Sequence, residues 1–360
     1  MPDARVQTAI HHWAARFVSN GVPLTDFQEV TAGIERWPDW CAAWSARAAI
    51  HDQLGDAVFA AGNKLSAGEH WTRAGVCYHF AKFVFVEDVV QMKAAHLKAV
   101  ACRTKALPYL RPAGERVDIP FEGTHFRGIL RKPVGVAGNE GKPPVVIMCM
   151  GLDSAKEETD AYEQPFLARG MAILAFDGPG QGESEYELGI RGDYEVAVRA
   201  VVDWVEQRSD VDTQRIGLWG VSMGGYYAPR AAAFEKRIKA CISLSGPFDW
   251  AANWGMLNEL TRETFRVRAR QKTQDDARAF ASTLSLKNCA DKITCPLFIV
   301  AGKQDRIVPW QDGERLAQAA KGPVEFLLLD DGNHVANNRG YRWRSQSADW
   351  MARQLGVSQV

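Results

Sequence analysis

Neither sign of charge predominates in this chain. Its 360 residues carry 43 Lys plus Arg against 43 Asp plus Glu, a formal net charge of zero. A nucleic-acid binder displays a basic footprint, and none is visible. Long apolar runs are missing too: none approaches the roughly 20 residues a bilayer-spanning helix needs, so no membrane partner is expected. The opening stretch MPDARVQTAIHHW has no basic segment followed by an apolar one, which gives no sign of a secretory leader. The seven cysteines (Cys41, Cys77, Cys102, Cys149, Cys241, Cys289, Cys295) are scattered, odd in number and form no C-x-x-C pair. Neither a disulfide framework nor a zinc knuckle fits them. Cys149 in VVIMCM reads as a small core residue, and a reducing, cytoplasmic setting is the expectation. VAGNEGKP (136–143) lacks the first Gly and the Ser/Thr of a phosphate loop, and no helix-starting pattern follows GPGQG (178–182), so the dinucleotide reading is poor. No His/Asp/Glu cluster has metal-ligand spacing. Neither a metal nor an organic cofactor is expected.

What is present falls into two textures. Hydrophobic residues make up 46% of the chain, ordinary for a protein with a sizeable core. Before residue 113 the chain is rich in Ala, Trp and His. Trp40, Ala43, Trp44 and Ala48 have helical spacing, and a further helical pattern covers Val89 to Lys105. Ser66 and Glu69 read as a capping box ahead of the aromatic run from Trp71 to Phe85. Residues 1–113 are expected to form a helical cap domain of four or five helices. Their aromatic content makes a homodimer an expectation.

From Glu115 onward strands and helices alternate. ERVDIPF and HFRGILRKP predict a hairpin about Glu122-Gly123. PPVVIMCMG, MAILAFDGPG, RIGLWGVS, KACISLSG and CPLFIVAG are short apolar runs typical of strands buried on both faces, and VEFLLLDDG adds one more. Helical patterns lie between them. This predicts an α/β domain over residues 114–360, with a mostly parallel, doubly wound sheet. Residues 249–291 interrupt the alternation with a polar, helix-like stretch, expected to be a lid.

The sharpest motif is Gly220-Val221-Ser222-Met223-Gly224, after a strand and before a helix. This G-x-S-x-G elbow lifts a serine hydroxyl clear of the sheet, and the Met223 backbone N–H points where an oxyanion would form. A serine needs a positioned base, itself oriented by an acid, in the order Ser, Asp, His along this fold. Asp305, in GKQDRIVP, follows one strand's carboxyl end. His334, in DDGNH, follows another, and it is the only histidine after Ser222. Asp330 and Asp331 are alternatives for the acid but crowd the histidine loop. The second oxyanion donor falls to the Leu152 backbone N–H, in the loop after PPVVIMCM.

GLDSAKEE (151–158), AFDGPGQGES (175–184), LWGVSMGGYYAPRAAA (218–233), GKQDRIVP (302–309) and DGNHVANNR (331–339) together resemble the family of 2,6-dihydroxypseudooxynicotine hydrolase-like and FrsA-like esterases. SAGEHWTRAGVCYHFAKFVF (66–85) looks like that family's N-terminal cap. The resemblance implies an α/β-hydrolase fold for residues 114–360 and hydrolysis of a C–C bond beside a carbonyl in a small molecule such as an aryl 1,3-diketone, without metal or cofactor. A carboxylesterase would use the same residues, and a non-catalytic binding protein could keep the fold. Four residues have both a packing and a substrate-binding reading: Tyr78 and His79 on the aromatic helix, and Asp249 and Trp250 after KACISLSG.

Overall fold

The computed structural model describes residues 3–134 and 141–357, so residues 136–140 of VAGNEGKP lie outside it. Five α-helices come first among the described residues: α1 (Ala4–Ser19), α2 (Leu24–Ala32), α3 (Trp40–Ala60), α4 (Lys64–Lys82) and α5 (Val89–Ala106). Asp3 and Asp88 cap α1 and α5, their carboxylates accepting first-turn N–H groups. The expected capping box does not open α4. The chain reverses at Gly62 (φ 88°), and Ala67 N–H already donates to the Asn63 carbonyl, so Ser66 lies inside the first turn.

The hairpin forms as expected, with β1 (Gly114–Phe121) antiparallel to β2 (Thr124–Arg131) around Glu122-Gly123. After β3 (Pro144–Cys149) come α6 (Asp160–Leu167), β4 (Ala172–Asp177), α7 (Glu195–Glu206), β5 (Asp212–Val221) and α8 (Gly224–Phe234). β6 (Ile238–Leu244) precedes the insert, which holds a 3-10 turn at Ala251–Met256, α9 (Glu259–Arg268) and α10 (Gln274–Ala281). β7 (Leu297–Gly302), α11 (Trp310–Ala319), β8 (Val324–Leu329) and α12 (Arg344–Gln354) complete the chain. The eight strands lie in the order β1-β2-β4-β3-β5-β6-β7-β8, parallel from β4 to β8. β3, β4 and β7 are buried along their whole length, the signature of a sheet covered on both faces.

One face packs on α6 and α12 through Met148, Trp219, Trp343 and Trp350. The other shares a continuous apolar core with the N-terminal helices, running from Trp13, Phe17 and Phe83 through Leu152 to Tyr227. Within it Phe17 stacks on Phe80 with centroids 3.8 Å apart. The aromatic run is thus spent inside the chain: Trp71, Phe80, Phe83 and Phe85 are all buried. All seven cysteines are free. Among the described residues no helix is long and apolar enough to cross a membrane.

Candidate active site

The strand β5 ends at Val221 and α8 begins at Gly224, leaving Ser222 in the turn at φ 56°. This left-handed conformation costs a residue with a side chain about 1–3 kcal/mol and persists only when its surroundings impose it. Here the surroundings are two backbone contacts. A Cβ on Gly220 would lie 1.9 Å from the Gly224 carbonyl oxygen, and one on Gly224 would lie 2.1 Å from that of Cys149. Only glycine fits either position, and the tight turn aims Ser222 out of the sheet at the N-terminus of α8, where orphan N–H groups and the helix dipole favour negative charge.

Asp305 and His334 reach the same edge from the carboxyl ends of β7 and β8. His334 Nδ1 lies 2.8 Å from Asp305 Oδ2, and its Nε2 lies 2.8 Å from Ser222 Oγ. The other Asp305 oxygen accepts the N–H groups of Ile307 (2.8 Å) and Val308 (3.0 Å), which fixes the carboxylate plane. An ionised carboxylate only accepts, so the imidazole proton belongs on Nδ1, and Nε2 is left to take the serine proton. The histidine loop is itself constrained: Val335 and Ala336 have φ 61° and 48°, and Val335 N–H donates to Ser245 Oγ at 3.0 Å. The alternative acids point elsewhere. Asp330 pairs with Lys303 at 2.7 Å and Asp331 with Arg339 at 2.7 Å, both on the surface.

The loop after β3 runs beside the nucleophile, a Gly151 Cβ falling 3.2 Å from that of Ser222. Three side chains that sequence reasoning passed over hold it. Gln181 donates to the Met150 carbonyl and, at 3.1 Å, to that of Gly151. The Gly151 carbonyl shares its peptide plane with the Leu152 N–H, so Gln181 sets the direction of that donor. Gln181 is oriented in turn by the Tyr194 hydroxyl (2.7 Å) and the Gly178 N–H (3.1 Å). Arg268, from α9 in the insert, donates to the Leu152 carbonyl and, at 3.1 Å, to that of Phe83. Arg16, from α1, reaches Asp153 at 2.7 Å and Ser154 Oγ at 3.0 Å. The GPGQGES segment is therefore a brace, and its glutamine was the available signal.

Buried charges seat the N-terminal helices on the sheet. Arg16 grips Glu158 through two 2.7 Å bonds, and Asn20 adds a third of 2.7 Å. Burial raises the pKa of Glu158, but Arg16 outweighs it and holds the carboxyl well below its ordinary value. Lys82 meets Glu185 at 2.9 Å, and Arg103 meets Glu163 at 3.2 Å. His12, also on α1, brings its ring near-parallel to that of His334, centroids 6.5 Å apart.

The four residues with two readings sit in packing contacts. Tyr78 is buried on α4 under the Lys98 ammonium, its hydroxyl pushed up to about 12 by burial. His79 is buried with Nε2 3.0 Å from Glu158, within ion-pair distance but off hydrogen-bond alignment. Asp249 bridges to Ser285 and takes the Lys287 ammonium. Trp250 lies 5.9 Å from Phe265, centroid to centroid. None of these contacts includes Ser222, Asp305 or His334.

Two buried groups of side chains have metal-ligand proximity among the described residues, Asp26/His51/Cys77 and His96/Glu157/Asp177. The Lys156 ammonium lies 2.7 Å from both Glu157 and Asp177, so a cation of the chain already occupies the second group. In the first, Arg47 is 2.6 Å from Asp26, and burial pushes the Cys77 thiol up to about 12, a poor ligand. Neither donor set fits a divalent ion.

Residues 158–358 match the model of the prolyl oligopeptidase family. The chain is similar to the 2,6-dihydropseudooxynicotine hydrolase of Paenarthrobacter nicotinovorans, 35% identical over 316 residues that cover 87% of this chain and 83% of that one. The crystal structure of the 2,6-dihydroxy-pseudo-oxynicotine hydrolase superposes with a TM-score of 0.87 at 32% identity, covering 96% of this chain and 97% of the other. Alpha/beta hydrolase xenA of Xenoacremonium sinensis is 34% identical over 242 residues, 64% of this chain but only 56% of that longer relative. By fold and by kinship, the chain belongs to the α/β-hydrolase family of serine hydrolases, as a 2,6-dihydropseudooxynicotine hydrolase-like member.

Proposed function

We infer that this protein hydrolyses a C–C bond beside a carbonyl, in an aryl 1,3-diketone or polyketide-like small molecule, through an acyl-enzyme. Ser222 Oγ attacks the ketone carbon as its proton passes to His334 Nε2. The alkoxide is held by the N–H groups of Leu152 and Met223, and Asp305 stabilises the imidazolium. Collapse breaks the C–C bond and sends its electron pair into the second carbonyl as an enolate. His334 then returns the proton to the leaving carbon. Water, activated by His334, hydrolyses the acyl-serine to an acid, so diketone plus water gives acid plus ketone.

The observation that carries this reading is the extent of the similarity to the nicotine-derived ketone hydrolase, which runs through the N-terminal helices as well as the sheet. We assign residues 1–113 as a cap and 249–291 as a lid, since both fasten to the oxyanion loop through Arg16 and Arg268. Enclosure excludes water, which strengthens the oxyanion interactions and shields an enolate. The test is turnover of benzoylacetone against phenyl benzoate, which share an acyl group. Hydrolysis of the diketone to benzoate and acetone, or to acetophenone and acetate, supports the reading. Turnover of the ester alone would make the protein a carboxylesterase with the same triad, and a chain that neither turns over nor reacts with a fluorophosphonate would be a binding protein.

A further inference from the structure

Beside the catalytic serine, histidine and aspartate stands a titratable group to which the mechanism gives no task. His12 stands on α1, the first helix of the cap, and its ring lies at 29° to that of His334 with 6.5 Å between centroids. Its Nε2 is buried and has no hydrogen-bond partner. An unpaired buried nitrogen is destabilising, a cost that a ligand can remove by supplying the partner. The neighbouring Trp13 packs edge-on against Phe83, centroids 5.2 Å apart, and Arg16 one turn later is bonded to Glu158, so the His12 segment of α1 is held on both sides. Burial, then the nearby His334, pushes the pKa of His12 down to about 4, which keeps the ring neutral at physiological pH.

We propose that His12 is a substrate-contacting residue whose Nε2–H donates to the second carbonyl oxygen of a 1,3-diketone, the oxygen that becomes the enolate. This rests on the C–C hydrolase reading. His334 is the group that returns a proton to the leaving carbon, and a ring 6.5 Å from it between centroids is within reach of the leaving half of the substrate. When the C–C bond breaks, negative charge moves off the alkoxide held by Leu152 and Met223 and onto that second oxygen. A neutral N–H there stabilises the enolate without competing with His334 as a proton donor. An ester has no such oxygen, because its charge leaves on the alcohol that His334 protonates directly. His12 therefore selects between the two chemistries that a shared triad leaves open.

The experiment compares wild type with His12→Phe, which keeps a flat ring but no donor, and His12→Gln, which keeps a donor, on benzoylacetone and phenyl benzoate. With one oxyanion donor worth about 10²-fold, His12→Phe should lose roughly that in kcat/KM on the diketone and less than about threefold on the ester. His12→Gln should recover most of the diketone loss, and the fluorophosphonate labelling rate of Ser222 should hold in both variants, which reports an intact site. Equal losses on the two substrates, or an unchanged diketone rate in His12→Phe, would overturn the role of His12 while leaving the C–C reading intact. A wild type that cleaves only the ester would overturn both.

Discussion

Replacing Asp305 by Asn tests the triad more sharply than deleting the nucleophile, because the structure dictates which way the amide must face. One Asp305 oxygen accepts two backbone N–H groups, from Ile307 and Val308, at 2.8 and 3.0 Å. The asparagine carbonyl has to take that place, which turns its NH₂ toward His334 Nδ1. Nδ1 must then accept, the ring proton moves to Nε2, and Nε2 can no longer take the proton of Ser222. The reversed amide would restore the base but set an NH₂ against two N–H donors. Losing two such bonds costs about 1–3 kcal/mol each, roughly 2–6 kcal/mol in all. At about 1.4 kcal/mol per factor of ten, the productive orientation is populated once in some 30 to 10⁴ molecules. We therefore predict a loss of about 30-fold to 10⁴-fold in kcat/KM, with little change in thermal stability because the backbone bonds survive. The acylation rate with an activated ester, followed by stopped flow, measures it directly. An Asp305→Asn enzyme within tenfold of wild type, or an Asp331→Asn enzyme that is the crippled one, would refute the assignment of the acid.

The remaining predictions address the nucleophile, the seat of the cap and the cap itself. Ser222→Ala should abolish fluorophosphonate labelling and nearly all turnover while the protein melts normally; retention of a substantial share of turnover would sink the assignment. Arg16→Ala strips Glu158, which has no exposed surface, of its guanidinium, and removing one partner of a buried pair typically costs about 3–5 kcal/mol, readable as a lower denaturant midpoint. In the wild type the folded pKa of Glu158 lies below its ordinary 4.5, so its ionised form stabilises the fold above that pH. That contribution is lost as pH falls below about 4.5, and acid-unfolding curves should show less loss of this kind in Arg16→Ala. Residues 114–360 produced alone should be insoluble or inactive, since Glu158 and Glu185 would lose the Arg16 and Lys82 cations that pair with them; a soluble, fully active fragment would contradict the cap assignment.

Much of this protein is written in local sequence. The hairpin at Glu122-Gly123 is fixed by a glycine that permits positive φ, and the elbow at Ser222 is marked by flanking glycines, of which Gly220 meets the nearby Gly224 backbone and Gly224 meets Cys149 on the neighbouring strand. The all-apolar strands are legible because a sheet covered on both faces admits no alternation. Ser222, Asp305 and His334 could be picked out because each follows a strand and this fold fixes their order. The start of α4 was misplaced because the reversal at Gly62 and Asn63 outcompeted a plausible cap three residues on. What only the tertiary structure decided are contacts between segments far apart in the chain. Nothing near residue 181 announces that its amide orients the peptide of residue 152, and nothing in HHW announces that His12, and not His11, faces a histidine more than three hundred residues later. His79 carried an aromatic helix's promise of a substrate contact, yet its neighbour is Glu158, a carboxylate also gripped by Arg16. Periodicity and motif report which face of an element is buried. Which partner buries it depends on how helices and sheet close on each other, and that is settled by the whole chain at once.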